Sequence, residues 1–117
     1  MRPLLATVFV AALIFTLVMA WLPHPPGLPI EESDKFWHIV AFATLSLLAG
    51  FAFPAEPTIR IGERLSFLGA LIELVQNVPA LHRDCDIMDW VADTIAIAVT
   101  LAVVAWINHL RARRTAI

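Results

Sequence analysis

Four long apolar segments, separated by short stretches rich in proline or polar residues, dominate the chain. They run from Pro3 to Leu22, Phe36 to Phe53, Ile59 to Val78 and Ile87 to Ile107. The length of each segment is close to the roughly 20 residues that a helix needs to cross about 30 Å of hydrocarbon. The connections, Pro23 to Lys35, Pro54 to Thr58 and Pro79 to Asp86, each begin with a proline that discourages further helix. The pattern predicts an all-α integral membrane bundle of four transmembrane helices, with residues 1–117 as a single domain.

The composition is typical of membrane proteins. Of 117 residues, 60% are hydrophobic and 15% charged, and the mean hydropathy is +0.80, beyond the usual range of soluble domains. The net charge is −2, so the chain lacks the excess of basic residues with which proteins bind phosphate groups. This argues against nucleic acid as a partner. Cys85 is the only cysteine, so neither an intramolecular disulfide nor a thiolate metal cage can form.

The basic residues predict the orientation of the helices. With a cytoplasmic N-terminus, the inner side holds six of the eight, namely Arg2, Arg60, Arg64, Arg111, Arg113 and Arg114, while Lys35 and Arg83 lie outside. The positive-inside rule therefore favours cytoplasmic positions for both termini. The first apolar segment is longer than the roughly 7–15 residues of a secretory signal, so we expect an anchor. The tryptophans lie at predicted boundaries, Trp21, Trp37 and Trp90 outside and Trp106 inside.

Glu73 is an ionisable residue deep within the third apolar segment, and Gln76 follows three positions later on the same helix face. An ionisable group within a membrane span costs several kcal/mol unless it meets a partner or a wet cavity, so it indicates a functional site. The two side chains are expected to point into the bundle or into a water-filled recess.

Two further helices contribute polar pairs to the same outer end. Asp34 and His38 have i, i+4 spacing at the start of the second helix, and Asp89 and Asp93 lie one turn apart on the fourth. The face of the fourth helix continues through Ala96 and Thr100, small residues that predict close packing against the third helix. Ser46 and Gly50 predict a similar close-packing face, or seam, on the second helix. Arg83, in the intervening loop, can clamp a carboxylate or phosphate.

The arrangement of these residues resembles the VanZ-like family of small bacterial membrane proteins. The matching pattern, within residues 34–98, is Asp34-Lys35-x-x-His38-x-x-x-Phe42, then Glu73-x-x-Gln76, Arg83 and Asp89. The chain departs from the family pattern at Asp93, where asparagine is usual, and at Ala96, where glycine is usual. The resemblance implies a four-helix inner-membrane protein of the bacterial envelope, in a family named for a member associated with teicoplanin-type glycopeptide resistance. The candidate functional residues are then Asp34, Lys35, His38, Glu73, Gln76, Arg83, Asp89 and Asp93.

Three functions and one structural role remain open for these residues. An outward recess could bind an envelope lipid or lipid-linked precursor, with Arg83 holding its phosphate or carboxylate. As an enzyme, the protein could use Glu73 or Asp89 as a base. Arg83 would then stabilise developing negative charge, and His38 would relay the proton. Glu73, Asp93 and His38 could instead form a proton or cation path, although no carboxylate follows Glu73 on its cytoplasmic side within the membrane.

In the structural alternative, Glu73, Gln76 and Arg83 only lock the third helix to its loop. Ser33 with Asp34, and Asp86 with Asp89, would then cap the second and fourth helices. No His-Glu-x-x-His motif is present, and Asp84, Asp86 and Asp89 are too loosely spaced to predict a cation site. We therefore expect no metal and no cofactor. The expected partners are membrane lipids, a lipid-linked envelope precursor and, in an oligomer, further copies of the chain.

Overall fold

The computed structural model describes residues 1–21, 31–76 and 87–115, with side chains described for 1–21, 36–75 and 87–114. These residues form four helices, α1 (Pro3–Trp21), α2 (Glu31–Ala52), α3 (Thr58–Gln76) and α4 (Ile87–Thr115). Each predicted apolar segment corresponds to one helix, which confirms the all-α architecture.

Two helices extend beyond the apolar spans predicted from the sequence. Helix α2 begins at Glu31 instead of Phe36, so Ser33 and Asp34 lie within its first turn and do not cap it from outside. Acidic residues at this position favour helix because they complement the positive end of its dipole. Helix α4 ends at Thr115 instead of Ile107, since the residues after Ile107 include neither proline nor glycine and can remain helical.

Length and hydropathy identify two candidate membrane spans among the described residues. These are α1 and the stretch Ile87–Arg114 of α4, whereas the apolar part of α2, Phe36–Ala52, is shorter. Helix α3 carries Arg60, Glu63 and Arg64 near its start and Glu73 near its end, which lowers its hydropathy. Two helices are thus apolar enough to cross a membrane by this criterion.

The helices form an elongated bundle measuring 59 × 26 × 20 Å. Helix α4 packs mainly on α2 and α3, while α1 packs mainly on α2 and less on α3. The backbone N–H of Arg2 donates to the carbonyl of Ala52 at 2.9 Å, so the start of α1 adjoins the end of α2. His38 of α2 lies near Asp93 of α4 and Glu73 of α3, so one end of the bundle combines the starts of α2 and α4 with the ends of α1 and α3. The shared core includes Phe42, Leu45, Leu65, Ile72, Ile97 and Leu101.

Glycines on α2 and α3 permit close approach to α4. A Cβ atom at Gly50 would lie 2.8 Å from Cγ1 of Val104, and one at Gly62 would lie 3.2 Å from Cδ1 of Leu101. Val104 is fully buried. Small residues thus set the spacing between these helices, as is common where helices associate in membranes.

The seam predicted on α4 differs in register from the observed one. Ala96 and Thr100 are only half-buried, whereas Ile97 and Leu101 are almost fully buried. A Cβ at Gly62 would contact both of these larger residues. The small residue at this contact therefore belongs to α3 and the large ones to α4, whereas the sequence pattern predicted close packing through the small residues of α4.

Candidate functional site

Three ionisable side chains from three helices converge inside one end of the bundle. His38 of α2, Glu73 of α3 and Asp93 of α4 are 9%, 5% and 1% exposed. Nδ1 of His38 lies 3.6 Å from Oδ2 of Asp93 and 3.9 Å from Oε1 of Glu73. One nitrogen or oxygen donor atom from each residue lies within 4.8 Å of the other two. We refer to this group as the His38–Glu73–Asp93 cluster.

The direction of the helices explains why these residues meet. His38 and Asp93 each lie in the second turn of a helix that starts at this end, and Glu73 lies in the last turn of a helix that ends here. Asp89, in the first turn of α4, is 8% exposed and lies one turn before Asp93. A carboxylate in this position is favoured by the positive end of the helix dipole.

Gly69 brings the backbone of α3 close to the cluster. A Cβ at this position would lie 3.7 Å from Oδ2 of Asp93, 3.6 Å from Cζ of Phe42 and 3.4 Å from Cδ1 of Trp90. Phe42 is 1% exposed. Two aromatic rings and the Asp93 carboxylate, which is 1% exposed, therefore all lie close to the α3 backbone at Gly69.

Beyond the cluster, toward the opposite end, the described interior is almost entirely apolar. Among the described side chains, Ser46 is the only buried polar residue outside the group formed by His38, Glu73, Asp89 and Asp93. Its hydroxyl donates to the carbonyl of Phe42 at 2.7 Å within the same helix. The buried polar groups are thus concentrated at the end that the sequence predicts to be outer.

A chain of hydrogen bonds links α3 to α4 beside the cluster. The indole N–H of Trp90 donates to the carbonyl of Ser66 at 2.9 Å. The Thr94 hydroxyl donates to the carbonyl of Trp90 at 2.9 Å and lies 2.9 Å from the Ser66 hydroxyl. Since a hydroxyl has one proton, Ser66 is the donor in this last bond.

The sequence pattern alone did not single out Ser66 or Thr94, and it placed Trp90 only at the membrane boundary. Trp90 is half-buried, and its N–H bonds to the neighbouring helix instead of a lipid head group. The available signal was the i, i+4 spacing of Trp90 and Thr94, which places both on one face of α4.

The structure brings together part of the predicted site. His38, Glu73 and Asp93 are in one cluster, and Asp89 is buried close by along α4. Asp34, Lys35 and Gln76 are helical, but their side chains lie outside the described set. Arg83 lies outside the described residues altogether. Its contact with the carboxylates therefore stays a prediction.

The opposite end of the bundle has a groove with basic residues. It is lined by Arg2, Leu5, Leu47, Leu48, Phe51 and Arg111. The guanidinium carbon of Arg111 lies 5.7 Å from the centroid of the Phe51 ring, within cation–π range. Cations beside an apolar wall suit an anionic lipid at a membrane surface.

Comparison of the chain with protein-family models, with curated proteins and with solved structures found no match in any of the three.

Proposed function

We propose that this chain is a four-span protein of the bacterial cytoplasmic membrane, related to the VanZ-like family. Its outward recess binds the head group of an envelope lipid or of a lipid-linked precursor, the kind of ligand on which glycopeptide resistance would act. Large apolar side chains exposed on every helix support the membrane location. Examples are Phe15 at 66%, Phe36 at 58%, Phe67 at 65% and Trp106 at 66%. Such a surface is an aggregation hazard in water but is solvated by lipid tails.

The basic groove supports the proposed orientation. Arg2 and Arg111 lie together at the end opposite the His38–Glu73–Asp93 cluster. The cytoplasmic leaflet is rich in anionic lipid and attracts basic residues. The cluster then lies on the outer side, with both termini in the cytoplasm.

The single observation that carries the binding proposal is the burial of His38, Glu73 and Asp93 in one place. Buried charges are poor stabilisers compared with well-packed apolar side chains. Ionisable groups within membrane helices commonly mark ligand or ion pathways. A binding role explains why three helices each contribute such a group, whereas a purely structural role does not.

The recess combines two kinds of recognition. The cluster would supply two carboxylates and an imidazole at its base, and Arg83, which follows α3 in the sequence, would supply a cation. In this proposal Arg83 holds a phosphate or carboxylate of the head group, while the cluster accepts hydrogen bonds from its hydroxyl or amine groups.

Native mass spectrometry of the detergent-extracted protein tests this function. We expect a lipid to accompany the wild-type protein and to be lost from Glu73→Gln and Arg83→Ala variants that keep the wild-type circular dichroism. Glu63→Gln is a matched control, because Glu63 is an exposed residue on the same helix near its other end. Equal lipid occupancy in all four proteins would contradict the proposal.

A membrane-embedded enzyme is the second candidate, favoured by the placement of the His38 imidazole between two carboxylates. Such a group can relay a proton during transfer or hydrolysis of a lipid-linked substrate. Extracted envelope lipids would be incubated with the protein and followed by mass spectrometry. Enzymatic action requires a product that forms with wild-type and Glu63→Gln protein but not with Glu73→Gln.

A further inference from the structure

We infer that His38, Glu73 and Asp93 form a binding site for a divalent transition-metal ion, with Zn²⁺ as the test ion. The site provides one imidazole nitrogen and two carboxylate oxygens, all common zinc ligands. Metal binding at this site requires no lipid and therefore stands apart from the function proposed above.

The spacing of the donor atoms is close to that of a metal centre. Zinc bonds to nitrogen and oxygen are about 2.0–2.2 Å, which separates neighbouring ligands by roughly 3.3–3.6 Å in a tetrahedral site. Nδ1 of His38 lies 3.6 Å from Oδ2 of Asp93 and 3.9 Å from Oε1 of Glu73. All three donor atoms lie within 4.8 Å of one another, so side-chain rotation on the three helices would have to draw the two carboxylates closer together around the ion.

Charge neutralisation gives a physical reason for a cation at this position. Glu73 and Asp93 are 5% and 1% exposed, and buried charges in proteins are paired or coordinate metals. A divalent ion cancels both charges and accepts the imidazole nitrogen as a neutral ligand. The free energy of metal binding would then offset the desolvation of the carboxylates.

The ligand set also indicates which ions fit. Mg²⁺ and Ca²⁺ prefer oxygen ligands, whereas an imidazole favours zinc and other first-row transition metals. Three protein ligands leave a fourth position for water or a ligand oxygen. Each ligand is on a regular helix, and Gly69 holds the α3 backbone near Asp93, so the donor positions are set by packing rather than by a loop.

Isothermal titration of the full-length, chelator-treated protein in detergent with Zn²⁺, in excess Mg²⁺, tests the inference. We expect one Zn²⁺ per chain, with binding at least tenfold weaker in His38→Gln and in the nearly isosteric Asp93→Asn variant. His109→Gln is the matched control, because His109 is exposed near the far end of α4 and should leave binding unchanged.

The melting temperature with and without Zn²⁺ provides a second measurement in case a variant folds poorly. Zn²⁺ should raise the melting temperature of the wild-type and His109→Gln proteins, since a ligand that binds only the folded state stabilises it. The inference is overturned if the wild-type protein binds less than one Zn²⁺ per chain in excess Mg²⁺. It is equally overturned if folded His38→Gln and Asp93→Asn proteins bind Zn²⁺ as tightly as wild type.

Discussion

Nδ1 of His38 lies 3.6 Å from Oδ2 of Asp93, although one residue belongs to α2 and the other to α4. The two helices start at the same end of the bundle, and each residue occupies the second turn of its helix. Parallel neighbours therefore place the imidazole and the carboxylate at equal depth. Helix α3 runs in the opposite direction and adds Glu73 to this pair from its last turn.

The contact between Gly50 and Val104 predicts a strong effect of one added methyl group. In Gly50→Ala the new Cβ would lie 2.8 Å from Cγ1 of Val104, and a β-branched side chain has little freedom to move away. We expect the free energy of unfolding in detergent to fall by about 1–3 kcal/mol. The added substitution Val104→Ala should restore part of the loss, and full stability of Gly50→Ala alone would contradict this packing.

Gly69→Ala should behave in the opposite way. Its Cβ would lie 3.4–3.7 Å from its three nearest neighbours, which is ordinary van der Waals contact. Alanine favours a helix interior over glycine by about 0.8–1.0 kcal/mol, so the free energy of unfolding should rise by up to that amount. A clear loss of stability in the same unfolding assay would show that the cluster is packed more tightly against α3.

The hydrogen bond from Trp90 to Ser66 predicts a cost for removing the indole N–H. Trp90→Phe should lower the free energy of unfolding by about 0.5–1.5 kcal/mol, the net contribution of a typical hydrogen bond, with some further loss of packing. Trp106→Phe is the control, because Trp106 is 66% exposed and the change should stay within about 0.5 kcal/mol. Equal effects at both positions would argue against the α3–α4 bond.

The Ser66 and Thr94 hydroxyls, 2.9 Å apart, should be energetically coupled. A double-mutant cycle of Ser66→Ala and Thr94→Val isolates their interaction, and we expect a coupling of about 0.6 kcal/mol, as for hydrogen bonds between membrane helices. A coupling of zero would mean that each hydroxyl is satisfied within its own helix.

The proposed topology makes Cys85 a natural reporter, since it is the only cysteine and falls in a predicted outer loop. A thiol reagent that cannot cross membranes should label Cys85 in intact spheroplasts. The matched control carries Cys85→Ser together with Ala55→Cys, because Ala55 is exposed and lies in the predicted inner connection. This control should react only after the membrane is permeabilised, and labelling with the reverse pattern would invert the topology.

Apolar segment length and proline placement determined the helical architecture, because both act locally along the chain. They predicted four helices and most of their ends. The start of α2 and the end of α4 were missed, since the polar residues there end the apolar pattern without ending the helix. The unfavourable placement of Glu73 in an apolar segment likewise indicated from sequence alone that this residue needs a buried partner or a wet recess.

Only the tertiary structure decided which groups Glu73 meets. Among the described side chains, its ionisable neighbours come from α2 and α4, and no local spacing in the sequence encodes the direction, rotation and separation of three helices. The same is true of Gly62 facing Leu101 and of Trp90 reaching Ser66. Hydropathy and local spacing determine which segments form helices. Side-chain packing between those helices determines the geometry of the site.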